Sequence, residues 1–140
     1  MRFWDSSAVI PLCVREPGSD NVRRVLESDE DMAVWWATRV ECASALSRRG
    51  REGALSVEAE IQARAVLRAL SQAWSEVQPT EMVRQRAERL LMVHPLGAAD
   101  AFQLAAALLW GTESPMGLDL VCLDENLRQA AFREGFNVLP

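Results

Sequence analysis

Phe3-Trp4-Asp5-Ser6-Ser7 places two large aromatics directly before a carboxylate and a pair of hydroxyls. The aromatics read as a short buried strand over residues 2 to 6 that delivers Asp5 to a sheet edge. Ser6 and Ser7 then stand where a helix begins. A charge at the end of a buried strand is costly unless it is paired, hydrogen-bonded or bound to a cation. Asp5 is therefore the residue for which the rest of the chain has to account.

Beyond this strand, Ala8 to Val14 form an apolar run ended by Pro17-Gly18, which suits a short helix with Pro11 in its first turn. Ser19 or Asp20 can cap a second helix with Val22, Val25 and Leu26 on one face. After the acidic turn Asp29-Glu30-Asp31, Met32 to Trp36 is a continuous apolar segment, the pattern of a strand covered on both faces. Thr38 is placed to cap the next helix, which carries Glu41 near its start, runs to about Arg49 and closes at Gly50 beside Arg48, Arg49 and Arg51.

Ser56 opens the longest expected helix, with Ala59, Ala63, Leu67, Leu70 and Trp74 as its buried stripe. Val77 fits a brief third strand. Thr80 then caps a helix from Glu81 to about Val93 that turns Val83, Ala87, Leu90 and Leu91 inward. Pro95-Leu96-Gly97 breaks this pattern before an alanine-rich helix, Ala98 to Trp110, which has Asp100 in its first turn and Leu104, Ala107 and Leu108 toward the core. A loop over 111–117 leads to a strand from Leu118 to Leu123, then Asp124, a helix from Asn126 to Glu134 and a last strand from Phe136 to Leu139.

Strands alternating with helices imply an α/β fold in which a central, mostly parallel sheet of four or five strands is covered by helices on both faces. At 140 residues, 49% apolar and 25% charged, the chain fits a single domain, 1–140, that can bury a core without metal or disulfide staples. Its three cysteines, Cys13, Cys42 and Cys122, cannot all pair and match no zinc or redox spacing, which suits buried free thiols in a reducing compartment. No secretory signal is evident and the longest apolar run, Leu104 to Trp110, is too short to span a bilayer, so a cytoplasmic protein without membrane partners is expected.

The net charge of -5 argues against nucleic-acid binding by bulk electrostatics, although it leaves room for a basic patch around an acidic, cation-loaded centre. All 15 basic residues are arginine, which excludes any mechanism that needs a lysine. In a parallel sheet the carboxyl ends of the strands gather at one edge, where ligands bind. Asp5 and Asp124 follow strands, and Glu41 and Asp100 begin helices that start at that edge. Like charges so close together call for a divalent cation. All-oxygen ligation suits Mg²⁺ or Mn²⁺ rather than zinc, and the single histidine, His94, has no companion ligand and reads as a loop or core residue.

Four motifs in this order carry a resemblance: Asp5-Ser6-Ser7-Ala8, Arg39-Val40-Glu41, Ala99-Asp100-Ala101 with Leu104 to Ala107 after it, and Leu120 to Leu127 around Asp124. Together they resemble the PIN-domain ribonucleases, specifically the VapC-type toxins of toxin–antitoxin pairs, over the whole chain. The resemblance implies a PIN-like three-layer α/β/α sandwich and a Mg²⁺-dependent endoribonuclease (Mn²⁺ serving as well) that cuts a structured cellular RNA such as tRNA or rRNA. It also implies a cognate antitoxin and a homodimer. Carried over, it makes Asp5, Glu41, Asp100 and Asp124 the catalytic, metal-binding acids and Ser6 a supporting hydroxyl. Where the family often has Thr or Ser two residues before the last acid, this chain has Cys122, a poorer hydrogen-bond partner. Asp119, at the start of its strand, lies away from the pocket edge.

Each feature also has a plainer role. Acids near helix starts favour the helix dipole, Trp35 and Trp36 suit a core or a dimer contact, and Arg48 and Arg49 suit a solvated helix end. Arg48 nevertheless lies about two turns beyond Glu41 on one face, which would let Arg48 and Arg49 form an RNA-facing patch. Two other functions compete. A catalytically weak or inactive PIN-fold module would serve to bind RNA or protein. An aspartyl-phosphate phosphotransfer domain also resembles this chain in having an Asp after its first strand, but it normally needs the lysine that is missing here.

Overall fold

The computed structural model describes residues 1–140. Five short strands, β1 (Arg2–Trp4), β2 (Met32–Trp35), β3 (Ser75–Val77), β4 (Asp119–Val121) and β5 (Asn137–Leu139), form one sheet in the order β3-β2-β1-β4-β5. Every neighbouring pair is parallel, so all five carboxyl ends lie on one edge. Seven helices connect them: α1 (Ser6–Cys13), α2 (Ser19–Ser28), α3 (Thr38–Arg51), α4 (Val57–Ala73), α5 (Glu81–Val93), α6 (Ala98–Trp110) and α7 (Glu125–Glu134). No single helix is long and apolar enough to cross a membrane.

The sheet separates two cores, and the strand residues alternate between them as a pleat requires. Phe3, Ala33, Trp35, Leu120 and Cys122 join the core made with α5, α6 and α7. Trp4, Met32, Val34 and Val121 join the core made with α1 to α4. This gives the three-layer α/β/α sandwich. It also explains the unbroken apolar run in β2, since both of its faces are covered.

Several boundaries differ from those expected, each for a local reason. β1 stops at Trp4 because Asp5 already serves as the N-cap of α1, its side chain accepting from the Ser7 N–H. The early start places Pro11 in the second turn of α1 instead of the first. Ser19 does not cap α2. It is the first helical residue, and its buried hydroxyl accepts from the Glu16 N–H and donates to the Val14 carbonyl. Thr38 likewise begins α3 without capping it, and Gly50 lies inside that helix. A Cβ on Gly50 would stand 2.4 Å from a Glu60 carboxylate oxygen, so the end of that α4 side chain lies over the glycine within the last turn of α3. On α5, Leu91 points outward at 42% exposed, whereas Val83, Ala87 and Leu90 are buried as the pattern requires. Ser56 and Thr80 cap α4 and α5 as expected, by accepting from Ala59 N–H and Val83 N–H.

The strand order fixes where a ligand can sit. Counting from β1, the chain builds outward to β2 and β3 on one side and then to β4 and β5 on the other. The order therefore reverses between β1 and β4. In open parallel sheets the crevice outside the carboxyl ends at such a reversal is the usual ligand site. Asp5 follows β1 directly and Asp124 follows β4 by three residues.

Candidate active site

Asp5 is 2% exposed and is held from three directions. Its backbone N–H donates to the Val121 carbonyl at 3.0 Å, which ties β1 to β4 one residue beyond the strand. Its Oδ2 accepts from the Ser7 N–H at 3.0 Å, from the Ser7 hydroxyl, and faces the Cys122 thiol at 3.6 Å. Burial pushes the Asp5 carboxyl above the usual range, and the Ser7 hydroxyl and N–H pull it back.

Ser7 joins the two halves of the crevice. Its hydroxyl donates to Asp5 and accepts from the Leu123 N–H at 2.9 Å and the Asp124 N–H at 3.2 Å. The turn that carries Asp124 is thus fixed by a side chain from α1. Asp124 in turn caps α7, its Oδ1 accepting from Leu127 N–H at 2.9 Å. Arg128 braces the same turn by donating to the carbonyls of Cys122 at 2.6 Å and Pro140 at 3.1 Å. Replacing Ser7 by Ala leaves two backbone N–H groups and a buried carboxylate short of a partner. Urea denaturation of Ser7→Ala should therefore show a loss of about 1–3 kcal/mol.

Glu41 reaches the crevice from the first turn of α3 and Asp100 from the first turn of α6. Glu41 Oε2 accepts from the buried Gln103 Nε2 at 3.0 Å. Its carboxyl is pushed up by burial, drawn down by Gln103 and Ser6, and pushed up again by the charges of Asp5 and Asp100. Asp100 is pushed up to about 6 by burial, then by the charges of Asp124 and Asp5. The four acids therefore share one electrostatic neighbourhood, although they come from four separate elements.

The pH dependence follows from the sign of these shifts. Asp100 moves from 3.8 to about 6, so above the lower value the folded state holds more protons than the unfolded chain. Stability contributed by this group is full below the unfolded pKa and is lost as pH rises through the folded one. Asp5 and Glu41 shift in the same direction. The urea midpoint of the metal-free protein should fall between about pH 4 and pH 6, and less steeply in Asp100→Asn.

The donor set suits a hard divalent cation, being carboxylate oxygens with no imidazole or thiolate among them. Burial also pushes the Cys122 thiol well up, which keeps it protonated as a hydrogen-bond donor. As the side chains stand, no three of the acids are closed into a metal-holding group. The charges of neighbouring acids nevertheless reach Glu41 and Asp100 and push both carboxyls up.

Over this geometry, the family model described as the PIN domain matches residues 2–133. The chain belongs to the PIN domain family. The five-stranded parallel sheet between two helical layers is the PIN sandwich. Among solved structures, PAE2754 from Pyrobaculum aerophilum superposes with a TM-score of 0.68 at 19% identity, over 98% of this chain and 87% of that one. FitAcB from Neisseria gonorrhoeae gives a TM-score of 0.67 at 16% identity, over 100% of this chain and 97% of the other. At these identities the likeness is one of fold. A search of curated proteins gave no significant match.

Of the remaining residues singled out in the sequence, Ser6 stays at the site and the others lie elsewhere. Ser6 begins α1 and neighbours Glu41 rather than Asp124, so the hydroxyl that ties the β4–α7 turn is that of Ser7. Arg49 is engaged with Glu16 at 3.1 Å, while Arg48 is exposed. Asp119 pairs with Arg2 at 3.0 Å at the opposite end of β4. Trp35 is buried and stacks on Phe102 of α6 at 5.6 Å between ring centroids, whereas Trp36 is half exposed. His94 is buried, as a core histidine would be, and its Nε2 meets Glu134 at 2.6 Å. The sequence reading missed Ser7 and Gln103. Gln103 did leave a signal, as the one polar side chain between Ala101 and Trp110.

Proposed function

We propose that this PIN domain is a divalent-metal-dependent endoribonuclease, and that Asp5, Glu41, Asp100 and Asp124 are the acids that hold Mg²⁺ or Mn²⁺ at its crevice. The observation that carries the reading is the convergence of these four carboxylates, from four elements, on the reversal point of the sheet. A cation bound there supplies an activated water and offsets charge developing on the phosphodiester. The chain's own part is placement. Ser7 and Cys122 hold Asp5, the α7 N-terminus holds Asp124, Gln103 holds Glu41, and α6 presents Asp100.

The substrate is a structured cellular RNA such as tRNA or rRNA, and the partner is a cognate antitoxin that inserts into the acidic crevice, with the toxin acting as a homodimer. This part rests on the VapC-like order of the motifs. Arg48 is the better placed of the two arginines first suggested for RNA contact, since Arg49 is paired with Glu16. Incubation with total tRNA and rRNA in Mg²⁺ should give cuts at discrete positions that stop on chelation. Cleavage that survives chelation would remove the metal from the mechanism.

A second reading is a non-catalytic PIN-fold module, favoured by the open spacing of the acids and by a thiol in place of a hydroxyl at Cys122. The hydrogen bonds of Ser7 weaken that second argument, since its hydroxyl already ties Asp5 to the Asp124 turn. Aspartyl-phosphate chemistry at Asp5 has no lysine to support it.

A further inference from the structure

We propose that Gln103 is a positioning residue for Glu41, holding that carboxylate in the crevice where the cation binds; the inference rests on the nuclease reading. Gln103 lies on α6 one turn after Asp100 and is 1% exposed. Its Nε2 donates to Glu41 Oε2 at 3.0 Å and to Thr38 Oγ1 at 3.0 Å, so both protons of the carboxamide are directed to the first turn of α3. One side chain thereby fixes the helix that carries Glu41 against the helix that carries Asp100. The other end of the same group is unusual. Gln103 Oε1 is buried and has no partner.

A buried carboxamide kept for packing alone would pair its oxygen as well, or would be replaced by a leucine or methionine of similar volume. An unpaired buried carbonyl is a cost, and native proteins accept such costs where a functional geometry depends on them. Here the geometry served is the orientation of Glu41. Thr38 acts as the second anchor, buried at the first position of α3.

The test is Mn²⁺ titration calorimetry on the wild type, Gln103→Met, Glu41→Gln and the double variant, with folding checked by circular dichroism. Partners that orient a metal ligand are commonly worth about 10–100-fold in metal affinity, and Gln103→Met should weaken Mn²⁺ binding on that scale. In the Glu41→Gln background the same substitution should have little further effect, because Gln103 acts through Glu41. Equal losses in both backgrounds, or no loss in the wild-type background, would overturn the inference and leave the nuclease reading intact. Should Gln103→Met not fold, Thr38→Val takes its place. It removes the second anchor and should weaken Mn²⁺ binding in the same direction, and unchanged affinity there overturns the inference. A wild type that binds no Mn²⁺ would overturn the nuclease reading and this inference together.

Discussion

Asp5→Asn should abolish Mg²⁺-dependent RNA cleavage, by at least about 10²–10³-fold, while leaving the metal-free protein as stable as the wild type or more so. The fall has the scale of losing one preorganised electrostatic partner of the transition state. The stability half of the expectation comes from the folded structure. Asp5 is almost fully buried, and burial is the largest influence on its ionisation. Asparagine keeps the volume and the acceptor that caps α1 through the Ser7 N–H, and it removes the desolvated charge. Cleavage assays paired with urea denaturation separate the two effects. Lost cleavage with undiminished stability places Asp5 in the chemistry, whereas a parallel loss of both makes it a structural residue.

Leu104→Ala should destabilise the protein by about 2–5 kcal/mol, a large share of the roughly 5–15 kcal/mol that holds a domain of this kind together. Leu104 is fully buried within the core formed by α5, α6, α7 and one face of the sheet. It sits on the helix that carries both Asp100 and Gln103, so its packing supports the placement of two site residues. Equilibrium urea unfolding should show a lower midpoint at an unchanged slope. Leu91→Ala provides the contrast. Its side chain points outward from α5 and should change stability by no more than about 0.5 kcal/mol.

The order of elements is legible in the sequence because its signals are local. Ser56 and Thr80 announce α4 and α5 by capping chemistry, and the unbroken run Met32 to Trp35 announces a strand covered on both faces. The acidic site is legible at the level of residue type, since Asp5 and Asp124 must follow strands and Glu41 and Asp100 must open helices. Helix starts at Ser19 and Thr38 were less so, because each is the first helical residue and its hydroxyl bonds elsewhere. Thr38 is taken by Gln103, 65 positions away. The role of Ser7 was out of reach for the same reason, its hydroxyl meeting a backbone segment 116 positions away. Gly50 reads as a helix end, but α3 continues through it to Arg51.

Calorimetric titration of Mg²⁺ or Mn²⁺ into the protein at pH 6 and pH 7 bears most directly on the central claim, that these four carboxylates form a divalent-cation site. The account predicts saturable binding that Asp5→Asn eliminates, accompanied by proton release near pH 6, where Asp100 is partly protonated before the cation arrives. Folded protein that binds neither ion at millimolar concentration would contradict it and leave the non-catalytic module as the better account.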